Sequence, residues 1–163
     1  MLIGKSTNSM DSKGRVFMPV KWRVDLTDHL IILIGFGKTA DERYLQVMSL
    51  DKFTELTRAV ESLPPTDITF IKAKRYIFPN SEECSLDKQG RMLIPQDLAK
   101  YAGLSGEVRM LGTGDSVQIW NPDALEKVEA DYGFGEFAAD LQALANRQSN
   151  SNGQINSGNP TVS

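Results

Sequence analysis

Asp11-Ser12-Lys13-Gly14-Arg15-Val16-Phe17-Met18-Pro19 is the stretch that decides the fold, because the chain contains it twice. The second copy begins 76 positions later, counted from 11 to 87, as Asp87-Lys88-Gln89-Gly90-Arg91-Met92-Leu93-Ile94-Pro95. Aspartate, glycine, arginine and proline are identical in the two copies, and the other five positions keep their polar or apolar class. Internal similarity of this kind predicts two copies of one supersecondary unit.

The similarity continues beyond the motif. Residues 33–37 match 110–114, and 46–51 match 118–123, so the first copy has a longer loop around 38–43. Apolar runs, prolines and helical spacing predict a strand, a helix, two paired strands and a closing helix in each copy. The predicted organisation is a first repeat over 1–62, a linker helix over 63–80, a second repeat over 81–132, a C-terminal helix over 133–146 and a disordered tail over 147–163.

The D-x-x-G-R segments are predicted to be turns between short strands. The aspartate can accept backbone N–H bonds, and the glycine can adopt a positive φ. Arginine at the end of such a turn can bind guanine in the major groove, while lysine and glutamine suit phosphates or other base edges. A second interpretation is open, in which aspartate and arginine bond only to each other as a structural staple. Residue chemistry alone does not choose between the two.

The paired motifs resemble the double signature of the MraZ family. The resemblance covers roughly residues 1–145 and includes Leu63-Pro64 and Tyr101-Ala102-Gly103-Leu104. It implies an α+β fold of two tandem AbrB/MazE-like β-α-β-β-α repeats, which would form a swapped-hairpin, double-psi-like β-barrel with flanking helices. Two chains normally supply the two units of such a barrel, whereas here both would come from one chain.

The same resemblance implies a function. MraZ proteins are transcriptional regulators of the division and cell-wall gene cluster, and their protomers assemble into rings that bind repeated promoter boxes. The residues implied to contact double-stranded DNA are Lys13, Gly14, Arg15, Lys88, Gln89, Gly90 and Arg91. Asp11 and Asp87 are assigned to loop structure, because a carboxylate near phosphate is repulsive.

The net charge of −3 does not favour a general affinity for nucleic acid. Residues 1–25 carry five lysines and arginines against two acidic residues, whereas residues 101–163 carry three against eight. A local basic face, and not the net charge, decides whether phosphates are attracted. Several weak contacts made by a ring on tandem boxes would also reinforce one another.

Other classes of protein find little support in the sequence. A single cysteine, Cys84, and a single histidine, His29, leave too few ligands for a zinc site and suit a reducing cytoplasm. The longest apolar run is far short of a membrane span. We therefore expect a cytoplasmic, nucleoid-associated protein that is not an enzyme and has no metal or cofactor. The alternative is a ring-forming protein-binding scaffold or antitoxin-like module without specific DNA binding.

Overall fold

The computed structural model describes residues 1–37, 39, 41–131 and 133–155 of the chain. It divides into two compact units, Met1–Leu125 and Glu126–Ser163. The elements are β1 Leu2–Ser9, β2 Arg15–Phe17, α1 Val20–Leu26, β3 Leu30–Ile34, β4 Leu45–Ser49, α2 Leu50–Glu61, α3 Ile68–Tyr76, a 3-10 turn Phe78–Asn80, β5 Ser81–Cys84, β6 Arg91–Leu93, α4 Gln96–Tyr101, β7 Glu107–Gly114, β8 Val117–Trp120, α5 Pro122–Asp131 and α6 Phe134–Ile155. The α+β class is confirmed.

Within the described residues, eight strands form two antiparallel sheets. The larger sheet has the order β1-β7-β8-β4-β3-β5, and β2 pairs with β6 in a separate two-stranded ribbon. The predicted hairpins β3–β4 and β7–β8 are both present. The first strand of each copy pairs with the other copy, since β1 lies beside β7 and β5 lies beside β3. The larger sheet is therefore symmetric: β1, β7 and β8 from one edge correspond to β5, β3 and β4 from the other.

Equivalent residues of the two copies meet at the centre of each sheet. Val16 lies opposite Met92 in the ribbon, and Gln46 lies opposite Gln118 where β4 pairs with β8. Both are pairs that the sequence repeat aligns. An approximate two-fold axis therefore passes through the ribbon and through the middle of the larger sheet.

The main core lies between the ribbon and one face of the larger sheet. Val16 and Met92 are fully buried there, together with Met18, Trp22 and Ile32. The opposite face of β3 is buried too, because Phe53, Leu56 and Val60 of α2 pack on a second cluster that contains Ile31 and Leu33. Burial on both faces explains why β3 is a continuous apolar run.

The helix boundaries follow local signals. Pro19 and Pro95 stand directly before α1 and α4. Ser49 is the N-cap of α2, and its hydroxyl oxygen accepts a bond from the backbone N–H of Lys52 at 3.2 Å. Asn121 caps α5 in the same way, since its side-chain oxygen accepts from the N–H groups of Asp123 and Ala124. These interactions satisfy N–H groups that have no partner within the helix.

Two expectations need correction. The implied closed barrel is wrong for the described residues, because β1 and β5 remain edges of an open sheet. The ribbon strands have only three residues each, and their backbone groups are used within the ribbon and its loops. The predicted tail is wrong for residues 147–155, since α6 continues to Ile155 and the hydroxyls of Ser149 and Ser151 donate to its own carbonyls. Residues 156–163 lie outside the described part.

The buried ribbon pair predicts a strong effect of truncation. Met92→Ala should lower the free energy of unfolding by about 2–5 kcal/mol, because it leaves a cavity opposite Val16. Leu93→Ala, one residue along the same strand and 56% exposed, should change it by less than about 0.5 kcal/mol. Urea unfolding of both variants tests this. Equal losses of unfolding free energy in the two variants would mean that the inward face of the ribbon is not packed in the core.

Candidate nucleic-acid interface

The two D-x-x-G-R loops have the same hydrogen-bond pattern. Asp11 Oδ1 accepts from the backbone N–H of Lys13 at 3.0 Å and of Arg15 at 2.9 Å. Asp87 Oδ1 accepts in the same way from Gln89 and Arg91, both at 2.9 Å. Each aspartate thus closes its own turn.

Each loop also contains the aspartate–arginine staple. Arg15 Nε donates to Asp11 Oδ2 at 2.7 Å, and Arg91 Nε donates to Asp87 Oδ2 at 2.8 Å. The backbone N–H of the arginine is the largest cause that lowers the pKa of each aspartate, and the guanidinium bond adds to it. The staple uses Nε, and a guanidinium has four further N–H donors. The structural and the DNA-binding interpretation are therefore compatible.

The glycines join the two copies. Gly14 has φ +86° and Gly90 has φ +81°, a region that other residues rarely adopt. The carbonyl of Gly90 accepts from the backbone N–H of Met18, and the carbonyl of Gly14 accepts from that of Ile94, both at 2.9 Å. Each loop is thus fixed to the end of the other copy's ribbon strand.

The ribbon places both arginines on one outward face. Arg15 lies opposite Leu93, and Phe17 lies opposite Arg91. Directly opposed residues share a face, as do alternate residues along a strand. The inward face is Val16 and Met92, so the outward face carries these four side chains. Phe17 is 49% exposed and Leu93 56% exposed, and both arginines are partly exposed.

The spacing of the arginines follows from the register. Arg15 and Arg91 lie on neighbouring strands, displaced by two residues, which puts their Cα atoms roughly 8 Å apart. The major groove of DNA is about 12 Å wide. Both side chains can therefore address one stretch of groove. Lys13, Lys88 and Gln89 are exposed in the loops, at the two ends of the ribbon.

Gly90 differs from the other predicted contact residues, because it is buried. A Cβ built on Gly90 would lie 2.2 Å from Cζ of Arg23, so this arginine of α1 lies directly over the second loop. Gly14 is only half-buried. Sequence reasoning missed Arg23, although the repeat offset of 76 aligns it with Ala99 and so marks a difference between the copies.

The remaining reactive groups form no evident site. His29 and Cys84 line one shallow cavity of about 250 Å³. Burial raises the pKa of the Cys84 thiol to about 12, with Glu82 adding to the effect. Throughout the described ranges, His, Cys, Asp and Glu form no group of three or more that could hold a metal ion. Nor does any helix in those ranges combine the length and the apolar character needed to cross a membrane.

The raised pKa of Cys84 predicts slow reaction with thiol reagents, because the thiolate is the reactive form and little of it is present near neutral pH. A thiol reagent at pH 8 should modify the native protein roughly tenfold or more slowly than the urea-unfolded chain. Modification at equal rates in the two states would show that Cys84 is not shielded in the native fold.

The loop glycines predict graded losses of stability. Gly106→Ala is the control, since Gly106 has φ +64° and open space around its Cβ position; it should cost about 1–2 kcal/mol from the backbone conformation alone. Gly14→Ala should cost more, because the new Cβ would meet the backbone carbonyl oxygen of Ile94 at 3.1 Å, whereas Gly90→Ala should cost little more than the control, because the group it would meet is the movable end of the Arg23 side chain. Chemical unfolding of the three variants gives the order. A larger loss for Gly106→Ala would contradict the packing argument.

A comparison with protein families finds a match that includes one of the two loops. Residues 77–147 match the family model of the MraZ protein, which is described as antitoxin-like. The match contains the second D-x-x-G-R loop and α4, β7 and β8. The first loop lies outside it but repeats its hydrogen bonds one for one. On this match, residues 77–147 of the chain are similar to the MraZ family.

Proposed function

We propose that this protein is a sequence-specific DNA-binding transcriptional regulator that reads repeated promoter boxes with its two D-x-x-G-R loops. The observation that carries the proposal is the outward face of the ribbon, where Arg15 and Arg91 lie side by side in equivalent loops. Pre-ordered arginines suit DNA recognition because little side-chain entropy remains to be lost on binding. Two-stranded ribbons are one of the elements that fit the major groove.

The charge around the loops supports a DNA partner in spite of the acidic chain. The exposed loop residues Lys13 and Lys88 flank the arginines, whereas Asp11 and Asp87 are engaged by their own loops. A small cationic face of this kind gives modest affinity from each protomer. We propose that the protein assembles into a ring-shaped homo-oligomer, so that several protomers engage tandem boxes and bind much more tightly together than singly.

The regulated genes follow from the family resemblance. We propose the division and cell-wall gene cluster, including the promoter upstream of the protein's own gene, as the target. The site of action would be the cytoplasm, at the nucleoid. No catalytic step is part of this proposal, and neither a metal nor a cofactor is required by it.

A second candidate function is a ring-forming scaffold or antitoxin-like module that binds a protein. Phe17 and Leu93 favour it, because both are large, apolar and about half exposed on the same face as the arginines. The antitoxin-like description of the matched family favours it as well. Interfaces between proteins are enriched in aromatic residues and arginine, so the composition of this face suits either partner.

The arginines provide the decisive test. Arg15→Ala and Arg91→Ala should each abolish selective binding to the native promoter while the protein stays folded and oligomeric, since a good bidentate contact to a base is worth about 1–3 kcal/mol. Gel-shift titration against promoter and scrambled DNA at two salt concentrations measures this. Arg58→Ala is the matched control, because Arg58 is exposed on α2, which packs on the other face of the sheet.

Asp11→Ala and Asp87→Ala separate the two roles of the arginines. These variants remove the staple and the acceptor of two backbone N–H groups but keep the cation, so they should weaken DNA binding less than the arginine variants do. Losses as large as those of the arginine variants, in aspartate variants that keep the wild-type unfolding midpoint, would mean that the arginines act only through the staple. If the wild-type protein is a folded oligomer but shows no preference for promoter DNA, the result would favour the protein-binding scaffold over the regulator.

A further inference from the structure

The two loops are alike in their own hydrogen bonds but differ in what covers them. Arg23 of α1 lies over Gly90, with Cζ 2.2 Å and both terminal nitrogens 2.4 Å from the position of a Cβ on that glycine. These similar distances mean that the whole guanidinium group rests on the second loop. Any side chain larger than hydrogen at position 90 would force Arg23 away.

Arg23 is held in place without being neutralised. Its Nε donates to the carbonyl oxygen of Met18 at 2.7 Å. The backbone N–H of Met18 in turn donates to Gly90, so one residue fixes both the loop and the arginine above it. Within the described ranges Arg23 makes no ion pair with a carboxylate. Arg15 and Arg91, by contrast, are each paired with an aspartate.

The first loop lacks such a cation in the corresponding place. The repeat aligns Arg23 with Ala99, a buried residue of α4. Ala99 and Gly14 line an open groove of about 770 Å³, which Lys13 and Lys100 border. The space that a guanidinium occupies at the second loop is therefore open at the first. This difference between the copies has no evident structural purpose, because both loops form the same bonds without it.

We infer that Arg23 is a third DNA-contacting arginine, which binds a backbone phosphate beside the second loop and has no equivalent at the first. The inference rests on the proposed function and adds a contact to it. An unpaired guanidinium that is held by Nε presents its terminal nitrogens as a fork, and this geometry matches phosphate oxygens bidentately. Phosphate contacts fix register without reading sequence. Arg23 thus strengthens one loop and gives the otherwise symmetric ribbon a direction on DNA.

The test uses Arg23→Gln, which keeps most of the side chain and an amide N–H donor for Met18 but removes the charge. Full-length wild-type and variant protein are titrated against native promoter DNA at several salt concentrations. Loss of one phosphate contact per protomer should weaken binding several-fold or more at low salt. It should also make the slope of log K against log salt shallower by about one for each protomer bound. Arg58→Gln, with the same change of net charge, should leave both quantities unchanged.

Three results would overturn the inference. Unchanged affinity would mean that Arg23 does not touch DNA. Weaker binding with an unchanged salt slope would mean that Arg23 only supports the loop, and a lower thermal unfolding midpoint for Arg23→Gln would accompany that result. A loss of slope in Arg58→Gln as well would assign the effect to net charge. If wild-type protein itself shows no promoter preference, the proposed function fails, and the Arg23 variant is not needed to reach that conclusion.

Discussion

The burial of Val16 against Met92 is the contact on which the rest of the structure depends. These residues are equivalent in the two copies, lie opposite each other in the ribbon and are fully removed from solvent. A strand buried on one face must expose the other, because its side chains alternate. The same pairing therefore directs Arg15 and Arg91 outward. Core formation and the presentation of the cationic face are consequences of one register.

The register also explains why the loops are held by several hydrogen bonds although they lie at the surface. Each aspartate satisfies two backbone N–H groups and one guanidinium nitrogen of its own loop, and each glycine carbonyl is bonded to the other copy. A register slip by one residue would turn the arginines inward and bury unpaired charge. Since such burial is very unfavourable, the loop chemistry in turn selects the register. The two constraints reinforce each other.

Local signals in the sequence predicted much of this structure. They could not predict that the first strand of each copy pairs with a strand of the other copy. The motif, the helices after Pro19 and Pro95 and the caps at Ser49 and Asn121 depend on neighbours within a few residues, so pattern reasoning found them. The partners of strands β1 and β5 were not predicted, because these strands carry few apolar residues and are edges stabilised by pairing with the other copy. The site followed the same division: Arg15 and Arg91 belong to a motif, whereas Arg23 reaches its loop only through the fold.

Duplication gives two copies the same fold, but it does not oblige them to keep the same surface. Trp22 and Leu98, at equivalent positions, are both buried and keep their apolar class, as the shared core requires. The next positions, Arg23 and Ala99, differ in class: the first copy carries a guanidinium group where the second carries a methyl group. Core positions are constrained by packing on both sides of the two-fold axis, whereas Arg23 and Ala99 show that a position beside the loops can differ between the copies while both loops keep the same hydrogen bonds. Under the proposed function, a two-fold symmetric ribbon that is unequal at one loop can distinguish the two orientations of an asymmetric DNA site.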